Sequence, residues 1–353
     1  MDIIANIDLK IIKPLKSEGV NSKLYLVEDV QMGKKFILKK IKKSSFKNPD
    51  KCFEEPKKIC KANHSNIIKI NHVSYDDENI YITMPYYNKG SLYHLLQTRS
   101  LTIEEIKNYA LDFLSAVDYI HSIGIAHCDI KPNNILISNE NKAILTDFGS
   151  AVYLNKDGVG KLRNVYYKHI APEQCKSTTI TNKVDIYQIG TTLYRMCNGN
   201  LEYNTQLKKY KDINMVKIAS ACGKFPIRNK YLPHIPKSMS KIIEKCINVN
   251  PEDRYENVSE IIEDIQKIDE NLNWKCQFEE DIYYFIRNNK DNSTTQVIAS
   301  KDEDYWSIKT VRVNKETRKY TVYKGYCYEY IEKRSEAFKE INKIIALLSY
   351  RSK

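Results

Sequence analysis

His127-Cys128-Asp129-Ile130-Lys131-Pro132-Asn133-Asn134 sets a carboxylate, a lysine two positions on and a carboxamide three beyond that into one short segment. Asp147-Phe148-Gly149 follows at a short interval, and Ala171-Pro172-Glu173 comes later. Moving a phosphoryl group asks little covalent chemistry of a protein. It asks for an acceptor of the hydroxyl proton, hard oxygen ligands for a magnesium ion, and cations against phosphate charge. Each residue alone could belong to an ordinary turn, and Asp-Phe-Gly by itself carries little information. The three strings in this order supply all of those groups.

With these strings the sequence resembles the eukaryotic-type protein kinase family, serine/threonine type, over about residues 1–268. The resemblance implies an α+β, bilobal protein kinase fold with a small sheet-rich N-lobe and a larger helical C-lobe. It casts Asp129 as the catalytic carboxylate that orients and deprotonates the substrate hydroxyl, and Lys131 as the cation that neutralises the transferring group. Asn134 and Asp147 match the two metal ligands, oxygen donors suited to Mg2+, with Mn2+ as a substitute. ATP is the implied nucleotide, and a protein serine or threonine is the implied acceptor.

Phe36-Ile37-Leu38-Lys39 resembles the strand whose lysine holds the α- and β-phosphates. Ile37, Lys39 and Ile41 share one strand face, and the family pairs this lysine with a residue roofing the adenine, so Lys39 is preferred to Lys40 and Ile37 becomes the roof. Counting back nine from His64 gives Glu55 as the helix carboxylate facing Lys39, with Glu54 as fallback. Pro56 follows at once, which requires the helix to begin close by, because proline is tolerated only in a first turn.

The phosphate-covering loop is the weakest match, Ser17-Glu18-Gly19-Val20-Asn21-Ser22-Lys23-Leu24, with one glycine of the family's three. Gly19 and Ser22 are its candidate phosphate contacts. Met84 stands in the gatekeeper place of Ile82-Thr83-Met84-Pro85-Tyr86-Tyr87, Tyr87 would donate to and accept from the base through its backbone, and Leu24, Ile37 and Leu136 would sandwich it. Asp185 resembles the buried helix aspartate beneath the catalytic loop, and Arg254 the arginine that pairs with Glu173. Cys128 stands where many kinases carry an arginine, and the segment from Ser150 to Ile170 holds no threonine, only Ser150, Tyr153, Tyr166 and Tyr167 as hydroxyls. Activity is therefore expected not to depend on phosphorylation of that segment. Tyr166 stands where serine/threonine kinases commonly place a threonine, which leaves acceptor preference resting on Lys131.

Working outward, KLYLVEDV and KKFILKKI read as strands around a Gln-Met-Gly turn, Phe53 to Ala62 as a helix, and NIIKINHVSY and NIYITMPYY as further strand-like runs. These make an N-lobe of about residues 1–86 and a hinge of about 85–90. The C-lobe, about 91–268, opens on a helix with Ile106, Tyr109, Ala110, Phe113, Leu114, Val117 and Ile120 at spacings of three and four. A small α+β accessory domain over 275–353 follows. YWSIKTVRV and YTVYKGYCYEYI alternate like strands around a turn at Asn314 to Thr317. A closing helix carries Phe338, Ile341, Ile344, Ile345 and Leu348, with Ser335 as candidate cap.

Composition bounds the rest. The 353 residues carry a formal charge of +12 spread along the chain, which favours anionic partners such as nucleotides and acidic peptides without choosing among them. No apolar window is long enough to span a membrane and no secretion signal opens the chain, so a cytoplasmic location is expected. The nine cysteines lack disulfide or zinc spacing and read as reduced, mostly buried thiols. Tyr305, Trp306, Tyr320, Tyr323, Tyr326, Tyr328 and Tyr330 stand among basic residues, but core and cross-strand packing is the preferred reading over nucleic-acid stacking. The runner-up function is a pseudokinase, a nucleotide-binding scaffold, suggested by the sparse glycine loop, Pro56 and Pro85.

Overall fold

A computed structural model describes residues 7–15, 22–45, 53–162, 167–279 and 281–350. The chain opens on β1 (Leu9–Leu15), β2 (Ser22–Asp29) and β3 (Lys34–Lys42), then α1 (Glu54–Lys61), β4 (His72–Tyr75) and β5 (Asn79–Pro85). These strands form one antiparallel sheet in the order β1-β2-β3-β5-β4. Gly33 takes φ +61° in the β2–β3 turn, the left-handed conformation that glycine adopts without a steric penalty. The helix α1 begins at Glu54, so Pro56 sits in its first turn, where its missing N–H breaks no intrahelical bond.

The NIIKI part of the first strand-like run is not a strand. Ile67 and Ile68 are buried in irregular chain, bridged to Leu145 on the far side of the hinge. A short apolar run looks the same in sequence whether it lies in a buried strand or in buried coil.

After the hinge come α2 (Leu92–Thr98), α3 (Ile103–Ser122), β6 (Ile125–Ala126), β7 (Ile135–Ile137), β8 (Ala143–Leu145), β9 (Val152–Tyr153), β10 (Gly160–Lys161) and β11 (Thr179–Ile180). The helices α4 (Lys183–Leu207), α5 (Ile213–Ala221), α6 (Lys237–Cys246) and α7 (Val258–Gln266) complete this part. Thr102 and Glu105 close a capping box at the start of α3, and the seven apolar positions read from its periodicity are all buried. Residues Val184 to Cys197 of α4 are buried on every side, which makes α4 the central post of the helical part. Gly190 lets it approach α6, since a Cβ there would lie 2.6 Å from Cys246 Cβ and Ile247 Cγ2.

The last part contains β12 (Trp274–Glu279), β13 (Ile282–Asn288), β14 (Ser293–Asp302), β15 (Tyr305–Asn314), β16 (Tyr320–Val322), β17 (Tyr328–Ile331) and α8 (Arg334–Tyr350). It is an antiparallel sheet, β12 to β16 in order with β17 also on β15, against which α8 packs. Its core, from Trp274 to Leu348, is separate from the main core, which runs from Ile41 to Ile268. The helix α8 starts at Arg334, so Ser335 lies inside it rather than capping it; the Lys333 carbonyl accepts from the Glu336 and Ala337 amides. Of the tail aromatics only Trp306 is core; Tyr305, Tyr320, Tyr328 and Tyr330 are exposed, though Tyr305 and Tyr330 do pair across strands with ring centroids 5.9 Å apart. The eight cysteines among the described residues are free thiols, and half rather than most are buried. No helix among the described residues is long and apolar enough to cross a membrane.

The two cores meet at the segment before α6. Asn342 donates to the Pro233 carbonyl at 2.8 Å, Asn271 to the His234 carbonyl at 3.2 Å, and the His234 ring lies 5.9 Å from Phe285. His234 is buried, and burial pushes its pKa down from 6.5 to about 3. Below pH 6.5 the unfolded chain takes up a proton that the folded chain refuses, so stability falls with pH. Between pH 7 and 5 this residue alone removes about 2 kcal/mol. His234→Phe is expected to flatten the fall in melting temperature over that range; unchanged pH slopes for both proteins would refute this.

Candidate active site

Three elements from distant parts of the chain meet at Lys39. Its Nζ lies 2.7 Å from Glu55 Oε1 on α1 and 3.0 Å from Asp147 Oδ1. Burial works against the ammonium charge, but the Asp147 and Glu55 carboxylates outweigh it and hold the lysine above its ordinary pKa. Lys39 in turn holds the Asp147 carboxyl below the usual carboxylate range. Lys40, on the other strand face, sits over the Tyr81 ring. Asp147 takes φ 64°, a left-handed conformation that non-glycine residues rarely adopt, and the Phe148 ring behind it packs edge-on to His127 at 4.9 Å.

Asp129 forms the second cluster. Its Oδ2 accepts from Lys131 Nζ at 3.0 Å and from Asn134 Nδ2 at 2.9 Å, and Asn134 Nδ2 also reaches the Asp129 carbonyl. The other carboxylate oxygen, Oδ1, is buried with no hydrogen-bond partner among the described residues. Burial, opposed by Lys131, pushes the Asp129 pKa up to about 6. A carboxylate with one oxygen tied down and the other unsatisfied is prepared to accept a hydrogen bond from a hydroxyl brought to it.

Support comes from below. The Asp185 carboxylate on α4 is fully buried and accepts from the His127 amide (2.7 Å), the Cys128 amide (2.7 Å) and His121 Nε2 (2.8 Å). Burial opposes its charge, yet the hydrogen bond from His121, the positive field around it and the Cys128 amide keep its pKa low. Arg254 grips Glu173 with both Nη atoms, at 2.7 and 2.8 Å, and gives further bonds to the Lys183 and Asn248 carbonyls.

The residues expected around a nucleotide base come together near the hinge. Leu24 lies across from Lys39 and Ile37 across from Met84 in the sheet register. Met84 is buried, and Ile37, Tyr87 and Leu136 are half-buried against the main core. The Tyr87 carbonyl already accepts from the Gly90 amide at 3.1 Å, which favours the Tyr87 amide as the contact to a base. Ser22 begins β2 opposite Ile41, and Gly19 lies outside the described residues, as does Tyr166.

Two contributors escaped the sequence reading. Lys58, one turn after Glu55 on α1, reaches the Ala151 carbonyl and ties the helix to the segment after Asp-Phe-Gly; its spacing from Glu55 was the available signal. His121 lies in the last turn of α3 and carried no signal, because its partner Asp185 is distant in sequence.

Breaking the Arg254 pair from the carboxylate side strands a buried guanidinium. Glu173→Ala is expected to cost about 3 kcal/mol in chemical denaturation, against less than about 1 kcal/mol for an ordinary surface substitution. A cost within that surface range would show the pair to be dispensable.

A model of the protein kinase domain family matches residues 17–265. The chain is 26% identical over 259 residues to a probable serine/threonine-protein kinase of Clostridium acetobutylicum and 28% identical over 262 residues to one of Clostridium perfringens. These alignments cover 72% of this chain but 39% and 38% of the relatives. A serine/threonine-protein kinase of Chlamydia muridarum is 26% identical over 336 residues, 83% of this chain and 33% of that protein. The chain thus spans less than half the length of these curated relatives.

Proposed function

The chain belongs to the protein kinase domain family, and we propose that it transfers the γ-phosphoryl group of ATP to serine and threonine hydroxyls of proteins. The observation that carries this reading is the Asp129 carboxylate, one oxygen held by Lys131 and Asn134 and the other buried without a partner among the described residues. An acceptor hydroxyl brought against the Asp129 carboxylate would be oriented for attack and would give up its proton to it. Lys131 beside it would meet charge building on the transferring group, as the serine/threonine assignment requires.

Members of the family use ATP with Mg2+, and the residues present fit such an ion. Asn134 turns its amide nitrogen to Asp129, which leaves its Oδ1 for the metal, and Asp147 gives one oxygen to Lys39 and keeps another. Among the described residues no group of three or more His, Cys, Asp or Glu forms a metal cage. That suits Mg2+, which takes one or two protein oxygens and fills its octahedron with phosphate and water. When bound, the ion would neutralise phosphate charge. Lys39, held by Glu55, would position the α- and β-phosphates, and Met84, Tyr87, Leu24, Ile37 and Leu136 would receive the base, with Ser22 and Gly19 as the candidate phosphate contacts.

Cys128 is a buried, uncharged thiol whose pKa is pushed up by burial. It puts no positive charge beside Asp129, so a phosphate on the segment from Ser150 to Ile170 would find no partner there. A kinase domain of residues 1–268 and an accessory domain of 275–353 is the proposed division; the two separate cores support it, with Trp274 joining the later core, and the accessory domain would select substrates or set activity. A chain ended before Trp274 with unchanged rate and acceptor preference would remove both of those roles.

Phosphate transfer from radiolabelled ATP is expected to fall at least about 1,000-fold in Asp129→Asn and in Asp147→Asn, the scale of losing a catalytic proton acceptor or metal ligand. Equal incorporation in both variants and the wild type would leave the nucleotide-binding scaffold as the better reading. The combined variant Ser150→Ala, Tyr153→Phe, Tyr166→Phe, Tyr167→Phe is expected to keep activity within about threefold, a change of less than 1 kcal/mol in barrier. Abolished activity in a folded protein would restore dependence on segment phosphorylation.

A further inference from the structure

Asp129 is flanked by backbone groups that α4 side chains hold from beneath. Asp185 takes the two amides before it, those of His127 and Cys128. Gln188 then spans Asp129 itself: its Nε2 donates to the Cys128 carbonyl at 3.0 Å, and its Oε1 accepts from the Ile130 amide at 2.8 Å. Thr192 Oγ1 donates to the Ile130 carbonyl at 3.4 Å. Asp185, Gln188 and Thr192 are spaced i, i+3, i+7, one face of one helix, and all three are buried.

A single carboxamide that is donor to the residue before Asp129 and acceptor from the residue after it leaves that peptide segment little freedom to rotate. The segment needs such restraint, because Cys128 is held at φ 63°, a conformation that a non-glycine residue keeps only when its surroundings impose it. Cys128 supplies no charge through which the segment from Ser150 to Ile170 could hold the loop. Gln188 supplies the restraint from the buried centre of the fold instead.

We infer that Gln188 is a positioning residue that sets the Asp129 carboxylate through the backbone on both sides of it, making loop geometry a fixed property of α4 rather than a regulated one. The inference rests on the phosphotransferase reading for its kinetic consequence, but not for its conformational one. Gln188→Met keeps the side-chain volume and removes both hydrogen bonds, so it separates positioning from packing.

The test has two arms on the full chain. In hydrogen exchange, the Ile130 amide is expected to be strongly protected in the wild type and to exchange at least about tenfold faster in Gln188→Met, a readout that needs no activity. In steady-state kinetics, kcat is expected to fall about 10- to 100-fold while the dissociation constant for a fluorescent ATP analogue stays within twofold, because the nucleotide residues are untouched. Gln188→Glu, which keeps the acceptor for the Ile130 amide, is expected to exchange more slowly at that amide than Gln188→Met. Unchanged exchange, or kcat within twofold of wild type, would overturn the inference. So would a loss of nucleotide binding and melting temperature together, which would make Gln188 a packing residue only. An inactive wild type with the expected exchange pattern would count against the phosphotransferase reading and leave the loop restraint standing.

Discussion

A carboxylate taken completely out of water is costly unless donors surround it, and Asp185 is such a group. Its donors are the amides of His127 and Cys128 and the ring of His121, so the charge that α4 buries is stable only when the Asp129 loop lies across it. The dependence runs both ways. Cys128 holds a left-handed backbone, and the bond from its amide to Asp185 acts with the bond from Gln188 to its carbonyl to keep it there. The buried helix and the strained loop are one arrangement, and the position of Asp129 follows from it.

The second arrangement is electrostatic and joins the sheet to the helical part. Lys39 on β3, Glu55 on α1 and Asp147 beyond β8 come from three separate stretches, and the lysine satisfies both carboxylates at once. Pro56 is part of this geometry: it requires α1 to begin close by, and the start at Glu54 sets Glu55 in the first turn, facing β3. Lys58 extends the same helix face to the Ala151 carbonyl, so α1 is linked to Asp147 through Lys39 and directly to the segment after Asp-Phe-Gly. Charge placement and helix start thus act together to set Asp147 within reach of the Asp129 cluster.

Much of this was legible in the residues. The Asp129, Lys131, Asn134 and Asp147 set could be read because few chemistries need those groups in that order, and the helix of Ile106 to Ile120 because its burial repeats with the helical period. Misreadings arose where local pattern underdetermines environment. NIIKI is apolar because it is buried between lobes, not because it pairs as a strand. Ser335 has the chemistry of a cap, but α8 starts two residues sooner by using the Lys333 carbonyl. The alternating tyrosines of the last sheet resembled core positions, yet four of them face outward and Trp306 alone is internal, since the side facing α8 was already filled by Trp274, Phe285 and the helix isoleucines.

By itself the sequence determined which groups can do chemistry and in what order they occur, because side-chain functional groups and short-range spacing are properties of the chain. It also determined where helices must start, through Pro56, and where a turn needs left-handed backbone, through Gly33. The tertiary structure alone decided the contacts that no motif names. The Asp185–His121 contact, the Gln188 bridge across Asp129 and the burial of His234 between two cores each join residues distant in sequence. Partners of that kind are selected by the desolvation of polar groups inside a packed interior, a cost that exists only once the chain has folded.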